Sequence, residues 1–326
     1  MAEIKILIIS LSNIGDALLC YPALEPLWQA YPGAQTDVLA SPRTETLYRS
    51  DPRFSRVWVL EKKSNIFRQA VQVARLSSQR YAVVVDFRNS IIPVFLFGAR
   101  RTPILRGSAP EGIHRALVHQ ALVSKLMGKP LSGSGYSAPG FPFSADDLRF
   151  ARNLLVPGKT PVILVPGARS HLKRWPSERF AVIADRLIDE QNAQILLVGE
   201  ASEQPIVSAV MAGMRHSATN LVGKTSLAQF MALLSLAKLV ITNDSASLHA
   251  AELTGVPSVA IFGPTDEKKY GPRHPQSIVV RRTMICAPCE LALCPYRHEC
   301  MELIPADEVY SAAVKILKKS EDPRRG

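Results

Sequence analysis

Four groups of polar side chains stand where an apolar run ends, and their types suit the handling of a phosphate-bearing ligand. The run Val240-Ile241-Thr242 passes into Asn243-Asp244-Ser245, a turn with a carboxylate and a hydroxyl, and His249 follows on the first turn of the helix opened there. The run 162–165 passes into Pro166-Gly167-Ala168-Arg169-Ser170-His171-Leu172-Lys173-Arg174-Trp175-Pro176, a cationic loop before another helix. Fixed cations, a hydroxyl and the free N–H groups of a helix start are what a diphosphate requires. The third group, Gly199-Glu200-Ala201-Ser202-Glu203, offers a carboxylate that can accept hydrogen bonds from a ribose diol. Glu at a helix start is equally favoured by the dipole alone. The fourth is Asp16, after Gly15 at the end of the first polar turn. From position alone it fits a helix N-cap better than a reactive carboxylate.

These groups need a scaffold that brings strand ends to one edge. The first half alternates strands and helices: strands at 4–10, 36–40, 56–60 and 81–86, with helices at 17–30 and 66–77. Segment 129–142, rich in Gly, Pro and Ser, interrupts the pattern. A second set follows, with strands at 162–165, 195–198, 239–242 and 258–262, a helix at 177–191 and a final helix at 306–319. Alternation of this kind predicts an α/β protein with parallel, doubly wound sheets and right-handed crossovers. Ligands bind such sheets outside the carboxyl ends of the strands. The expected division is 1–157 and 158–326, two domains facing a cleft. The run Ile91-Ile92-Pro93-Val94-Phe95-Leu96-Phe97, before Arg100-Arg101, fits a buried helix better than a lipid contact.

Composition narrows the class. The 326 residues are 47% hydrophobic, which excludes disorder as the main state. No apolar run reaches the ~18 residues of a membrane span, and 6–11 is too short for a secretory signal. A cytosolic protein with reduced thiols is expected. Residues 1–157 hold 19 Lys and Arg against 11 Asp and Glu, a net of +8, while residues 158–326 carry +3. That asymmetry points to an anionic partner or to a merely solvated cationic face. No nucleic-acid-binding motif is present. Gly-x-Gly-x-x-Gly is absent from the first turn, which counts against a dinucleotide enzyme. Cys286, Cys289, Cys294 and Cys300 read C-x2-C-x4-C-x5-C. The set suits a structural zinc site, free thiols or local disulfides, and no base beside it marks it as catalytic.

Taken together, these residues resemble glycosyltransferase family 9, the lipopolysaccharide heptosyltransferases. The carriers are Ser12-Asn13-Ile14-Gly15-Asp16 with Pro22, Pro166-Gly167-Ala168 with Lys173-Arg174-Trp175-Pro176, and Gly199 with Glu203. Asn243-Asp244-Ser245 with His249, Gly263-Pro264-Thr265 and the cysteine cluster complete them. The resemblance implies a GT-B fold of two Rossmann-like domains and inverting transfer of L-glycero-D-manno-heptose from its ADP-linked donor. The implied acceptor is the phosphorylated lipid A–core of lipopolysaccharide, met peripherally at the cytoplasmic face of the inner membrane, with no catalytic metal or cofactor. It implies that Asp16 is the general base, that Ser170 and Lys173 bind the diphosphate and that Glu203 binds the ribose. Asp244, Ser245 and His249 would hold the sugar–phosphate region. Ala246 stands where the family turn usually has glycine, which predicts a reshaped turn and an altered sugar preference. A sugar-nucleotide epimerase and a non-catalytic binder of nucleotide sugar or lipid are the alternatives.

Overall fold

The computed structural model describes residues 4–61, 65–104, 106–107, 111–128 and 136–320. By its contacts the chain divides into two compact units, 1–135 and 136–326. The division falls ahead of the expected boundary after residue 157. Part of the expected Gly/Pro/Ser-rich break, 129–135, lies outside the described residues.

Unit 1 carries strands β1 (Lys5–Ile9), β2 (Gln35–Ala40), β3 (Arg56–Val59), β4 (Val83–Asp86) and β5 (Arg100–Arg101). Its helices are α1 (Ile14–Leu18), α2 (Tyr21–Ala30), α3 (Glu45–Arg49), α4 (Ile66–Ser78) and α5 (Arg115–Met127). The strands form a parallel sheet in the order β3-β2-β1-β4-β5. Ile6, Leu7, Ile8 and Ile9 are all buried, as a parallel strand covered on both faces requires. The helix expected over 17–30 is two helices. Pro22, at the start of α2, lacks an N–H and its ring would strike the carbonyl four residues back, so the chain turns through Leu19 and Cys20 instead. The run 91–97 is not a buried helix either. It is a short 3-10 turn, Ile92–Phe95, that buries Ile92 and Leu96 and leaves Ile91, Val94, Phe95 and Phe97 exposed. Gly98 and the pairing of β5 with β4 leave too few residues for more.

Unit 2 carries β6 (Thr160–Val165), β7 (Ala193–Leu197), β8 (Thr219–Asn220), β9 (Leu239–Asn243), β10 (Ser258–Phe262) and β11 (Ile278–Arg281). Its helices are α6 (Ala145–Asn153), α7 (Ser177–Gln191), α8 (Gln204–Gly213), α9 (Leu227–Leu236), α10 (Ala246–Thr254), α11 (Glu267–Tyr270), α12 (Glu299–Glu302) and α13 (Ala306–Ser320). The parallel sheet has the order β11-β10-β9-β6-β7-β8. Helix α7 packs with α8 and α13, while α10 packs with α9 and α9 with α6. The first and fourth strands of this unit, β6 and β9, are therefore neighbours whose chains leave toward different helix layers. That is the switch point at which doubly wound sheets form their binding crevice. Unit 1 repeats the order, with β1 beside β4.

Candidate donor and acceptor sites

In unit 2 the loops after β6, β7, β9 and β10 meet at the carboxyl edge. Asn243, fully buried at the end of β9, clamps the long loop at both ends. Its Nδ2 donates to the Pro166 carbonyl at 2.8 Å, and its Oδ1 accepts the Trp175 N–H at 3.1 Å. Trp175 anchors the far side, with Nε1 on the Ile304 carbonyl at 3.0 Å. Between these anchors the turn His171–Lys173 sends Lys173 back across the switch point. Lys173 Nζ donates to Asp244 Oδ2 at 2.6 Å, and Thr265 Oγ1 donates to the same oxygen at 2.6 Å. Asp244 is only 5% exposed, so its charge must be compensated, and Lys173 is the compensating ion. An ammonium has three N–H donors; this pair uses one.

Ser245 caps α10, its Oγ accepting the Ser247 N–H at 3.3 Å and lying 3.2 Å from Thr242 Oγ1. His249 is buried on the same helix. Ser170, partly exposed, precedes the turn His171–Lys173 with no side-chain cap bond, and its carbonyl accepts the Lys173 N–H at 3.1 Å. Ala246 is the first residue of α10 and is not among the residues of positive φ. An extended Ser245 makes the turn that leads into the helix, so Ala246 sits there without positive φ.

Glu203 reaches the same edge from the β7 side. Its Oε2 accepts the Glu200 N–H at 2.9 Å. Its carboxylate lies against Gly167 and Gly199, where any Cβ would collide with it. Burial raises its pKa, offset in part by the Glu200 N–H and the nearby Arg174. Arg174 is itself fixed, Nε to the Ala168 carbonyl at 2.8 Å.

The cysteine segment braces this edge. The Cys289 and Glu290 N–H groups both donate to the Pro264 carbonyl at 2.9 Å, and His298 Nε2 meets the Leu172 carbonyl. Cys286, Cys289, Cys294 and Cys300 border one cavity as free thiols. Burial pushes the Cys300 thiol up to about 11, with its three neighbours adding to the rise. Among the described residues no group of three or more His, Cys, Asp or Glu is placed to hold a metal, so the structural zinc, one of the three readings of the cluster, finds no support.

Unit 1 has its own polar edge. Asp16 is not the cap of α1; Asn13 holds that position, and Asp16 lies inside the first turn. Asn13 Nδ2 donates to Asp16 Oδ2 at 3.0 Å, while Arg43 Nη1 donates to Asn13 Oδ1 at 3.3 Å. Across the β1–β4 switch point, Arg88 Nε donates to the Ser10 carbonyl at 3.0 Å. Its Nη2 is buried with no hydrogen-bond partner among the described residues, and burial lowers its pKa. Arg106 Nη2 binds the Asp86 carbonyl at 2.7 Å. Sequence reasoning assigned no role to Asn243, Thr265, Arg88 or Arg106. Asn243 and Thr265 entered only as parts of the family motifs, and Arg88 and Arg106 follow β4 and β5 with no motif to mark them.

Two Rossmann-like units, one with a lysine and a glycine-seated carboxylate at its carboxyl edge, define the GT-B class of fold. The sequence profile of glycosyltransferase family 9 (heptosyltransferase) matches residues 113–299, more than half of the chain. The chain is 27% identical over 317 residues to lipooligosaccharide heptosyltransferase 2 of Campylobacter jejuni, covering 94% of this chain and 96% of that protein. It is 27% identical over 309 residues to the Haemophilus ducreyi enzyme of the same name, covering 85% and 88%. The solved structure of Escherichia coli ADP-heptose lipopolysaccharide heptosyltransferase II shares the fold, with a TM-score of 0.79 at 24% identity, over 98% of this chain and 100% of that one. The chain belongs to glycosyltransferase family 9, and it is a glycosyltransferase.

Proposed function

We propose that this enzyme transfers a heptose, with inversion, from ADP-L-glycero-D-manno-heptose to the inner core of lipopolysaccharide. The observation that carries the reading is the Lys173–Asp244 pair at the unit 2 switch point, beside a Glu203 carboxylate seated on two glycines. The names of the relatives supply the sugar and the acceptor. Unit 2 is the donor side: Lys173 and Ser170 meet the diphosphate and Glu203 the ribose, while Asp244, Ser245 and His249 shape the sugar end. Unit 1 is the acceptor side, with Asp16 as general base.

A sugar hydroxyl is a poor nucleophile, so a carboxylate must take its proton as it attacks the anomeric carbon. The bond to ADP breaks on the opposite face, and the configuration inverts. The charge developing on the departing diphosphate needs fixed cations, and Lys173 has two N–H donors left for it. Donor activation by this chain's cations leaves no step that requires a catalytic metal. The +8 of residues 1–157, with Arg88 and Arg106 at the same edge as Asp16, suits a phosphorylated acceptor. Such an acceptor is lipid-linked, which makes the enzyme peripheral on the cytoplasmic face of the inner membrane. Among the described residues no helix is long and apolar enough to cross a membrane.

The test is Asp16→Asn with donor and a lipid A–core acceptor. Turnover should fall by about 100-fold or more while ADP affinity is kept; near-normal turnover would sink the base assignment. Conversion of the donor in the absence of any acceptor would instead favour an epimerase.

A further inference from the structure

One face of the unit 1 sheet is covered by α4 and the turn Ile92–Phe95, side by side. Leu7, Ile9, Leu39 and Val84 point from the strands into this layer, and Leu76, Ile92 and Leu96 close the core against them. The outer side of the same layer is also apolar. Phe97 is 83% exposed, Phe67 72%, Ile91 62% and Phe95 48%, with Val71 and Val94 beside them in sequence. Large apolar side chains scattered singly need no explanation, but a set confined to two adjacent elements marks a contact surface.

The charges around it name the occupant. From residue 62 to 110 the sequence has nine Lys and Arg and a single acid, Asp86. That acid is buried and spent on its own loop, accepting the Arg88 N–H at 2.8 Å and the Ser90 N–H at 2.7 Å. Arg101 is exposed directly after the apolar turn, while Arg100, exposed too, alternates to the other side of β5 and reaches Gly128 at the end of α5. Arg101 Nη1 donates to the Pro93 carbonyl at 2.5 Å, which fixes a cation to the backbone of the apolar turn itself. Aromatic and aliphatic tips beside Arg101, on a segment with no accessible acid between Glu61 and Glu111, suit an interface of acyl chains below anionic headgroups.

We infer that this face, α4 with residues 91–101, is where the protein docks on an anionic lipid bilayer. The inference rests on the reading of a lipid-linked acceptor and adds the surface that meets the membrane. Docking here brings to the bilayer the unit that holds Asp16 and Arg88. The apolar tips enter the headgroup–acyl boundary while the arginines stay at the phosphates.

The test is co-sedimentation of the full chain with vesicles of phosphatidylethanolamine and phosphatidylglycerol, against vesicles of phosphatidylcholine alone. The wild type should bind the anionic vesicles and leave the neutral ones. Phe95→Ser with Phe97→Ser should lose about tenfold in affinity per phenylalanine, and Phe97→Leu should restore most of its share. Arg100→Ser with Arg101→Ser should abolish the preference for anionic vesicles. Transfer to a delipidated, water-soluble core acceptor should stay at the wild-type rate in both double variants, which also shows that they fold. Unchanged vesicle binding by the phenylalanine variant, or equal binding to phosphatidylcholine, overturns the inference. So does a wild-type dimer that Phe97→Ser dissociates, since a second copy would then cover the patch. Absence of transfer by the wild type to the soluble acceptor would instead count against the proposed reaction and leave the vesicle result to stand alone.

Discussion

Lys173 and Asp244 form a pair that joins two loops of the fold at the site proposed for the donor. Asp244 is buried, and one of its oxygens receives both Lys173 and Thr265. Removing the lysine leaves a buried carboxylate with one hydroxyl donor, so Lys173→Met should cost about 1–3 kcal/mol in urea unfolding, since the lysine side chain is itself 29% exposed. Asp244→Asn should cost less stability but weaken ADP binding, because the ammonium is no longer held at the switch point. The double variant should recover part of the Lys173→Met loss and none of the ADP affinity by calorimetry. Strictly additive stability losses would show that the pair does not function as a unit. Lys173 and Asp244 were both legible as candidate site residues, because each stands in a polar loop just after an apolar run. Their bond to each other was not, since it joins residues far apart in the chain and depends on β6 lying beside β9. Asn243 and Thr265 were missed as partners for the same reason: their contacts exist only once the loops are brought together.

At the level of elements, the long buried strands and the helix at 177–191 followed directly from apolar runs and periodicity. The elements that were misread are those where a local feature competes with the pattern. Pro22 divides the helix expected over 17–30, and the short return from β4 to β5 turns an apolar heptapeptide into a surface turn. The two-residue strands β5 and β8 are too short for any alternation to register. The loops after β6 and β7 show the reverse case, where two glycines make an element possible. Gly167→Ala would put a methyl group into the Glu203 carboxylate, a neighbour also held by the Glu200 N–H. The carboxylate must move, so ADP affinity should fall by about tenfold or more with the loss of the hydrogen bonds proposed to the ribose. Thermal stability should change by only about 1–2 kcal/mol. ADP binding by Gly167→Ala at the wild-type level would remove Glu203 from the ribose site.

Across the whole molecule, the same strand order appears twice, and each unit places a different chemistry at its own switch point. Unit 2 offers a lysine, a carboxylate seated on glycines and a capped helix; unit 1 offers Asp16 and two arginines. Duplicate scaffolds with unlike edges divide labour, and the division is measurable with the donor product alone. ADP binds only folded protein, so at about 100 times its Kd it should stabilise its own site by about 2.7 kcal/mol. Amide exchange reports such stabilisation locally, because opening of each segment carries its own free energy. Saturating ADP should therefore slow exchange in peptides covering 166–176, 199–204 and 243–250. It should leave those covering 11–20 and 86–90 at their unliganded rates. Lys173→Met should abolish the unit 2 protection under the same conditions. Protection of 11–20 by ADP without acceptor would reassign the first loop to the donor, and Asp16 could then no longer be reserved for the acceptor hydroxyl.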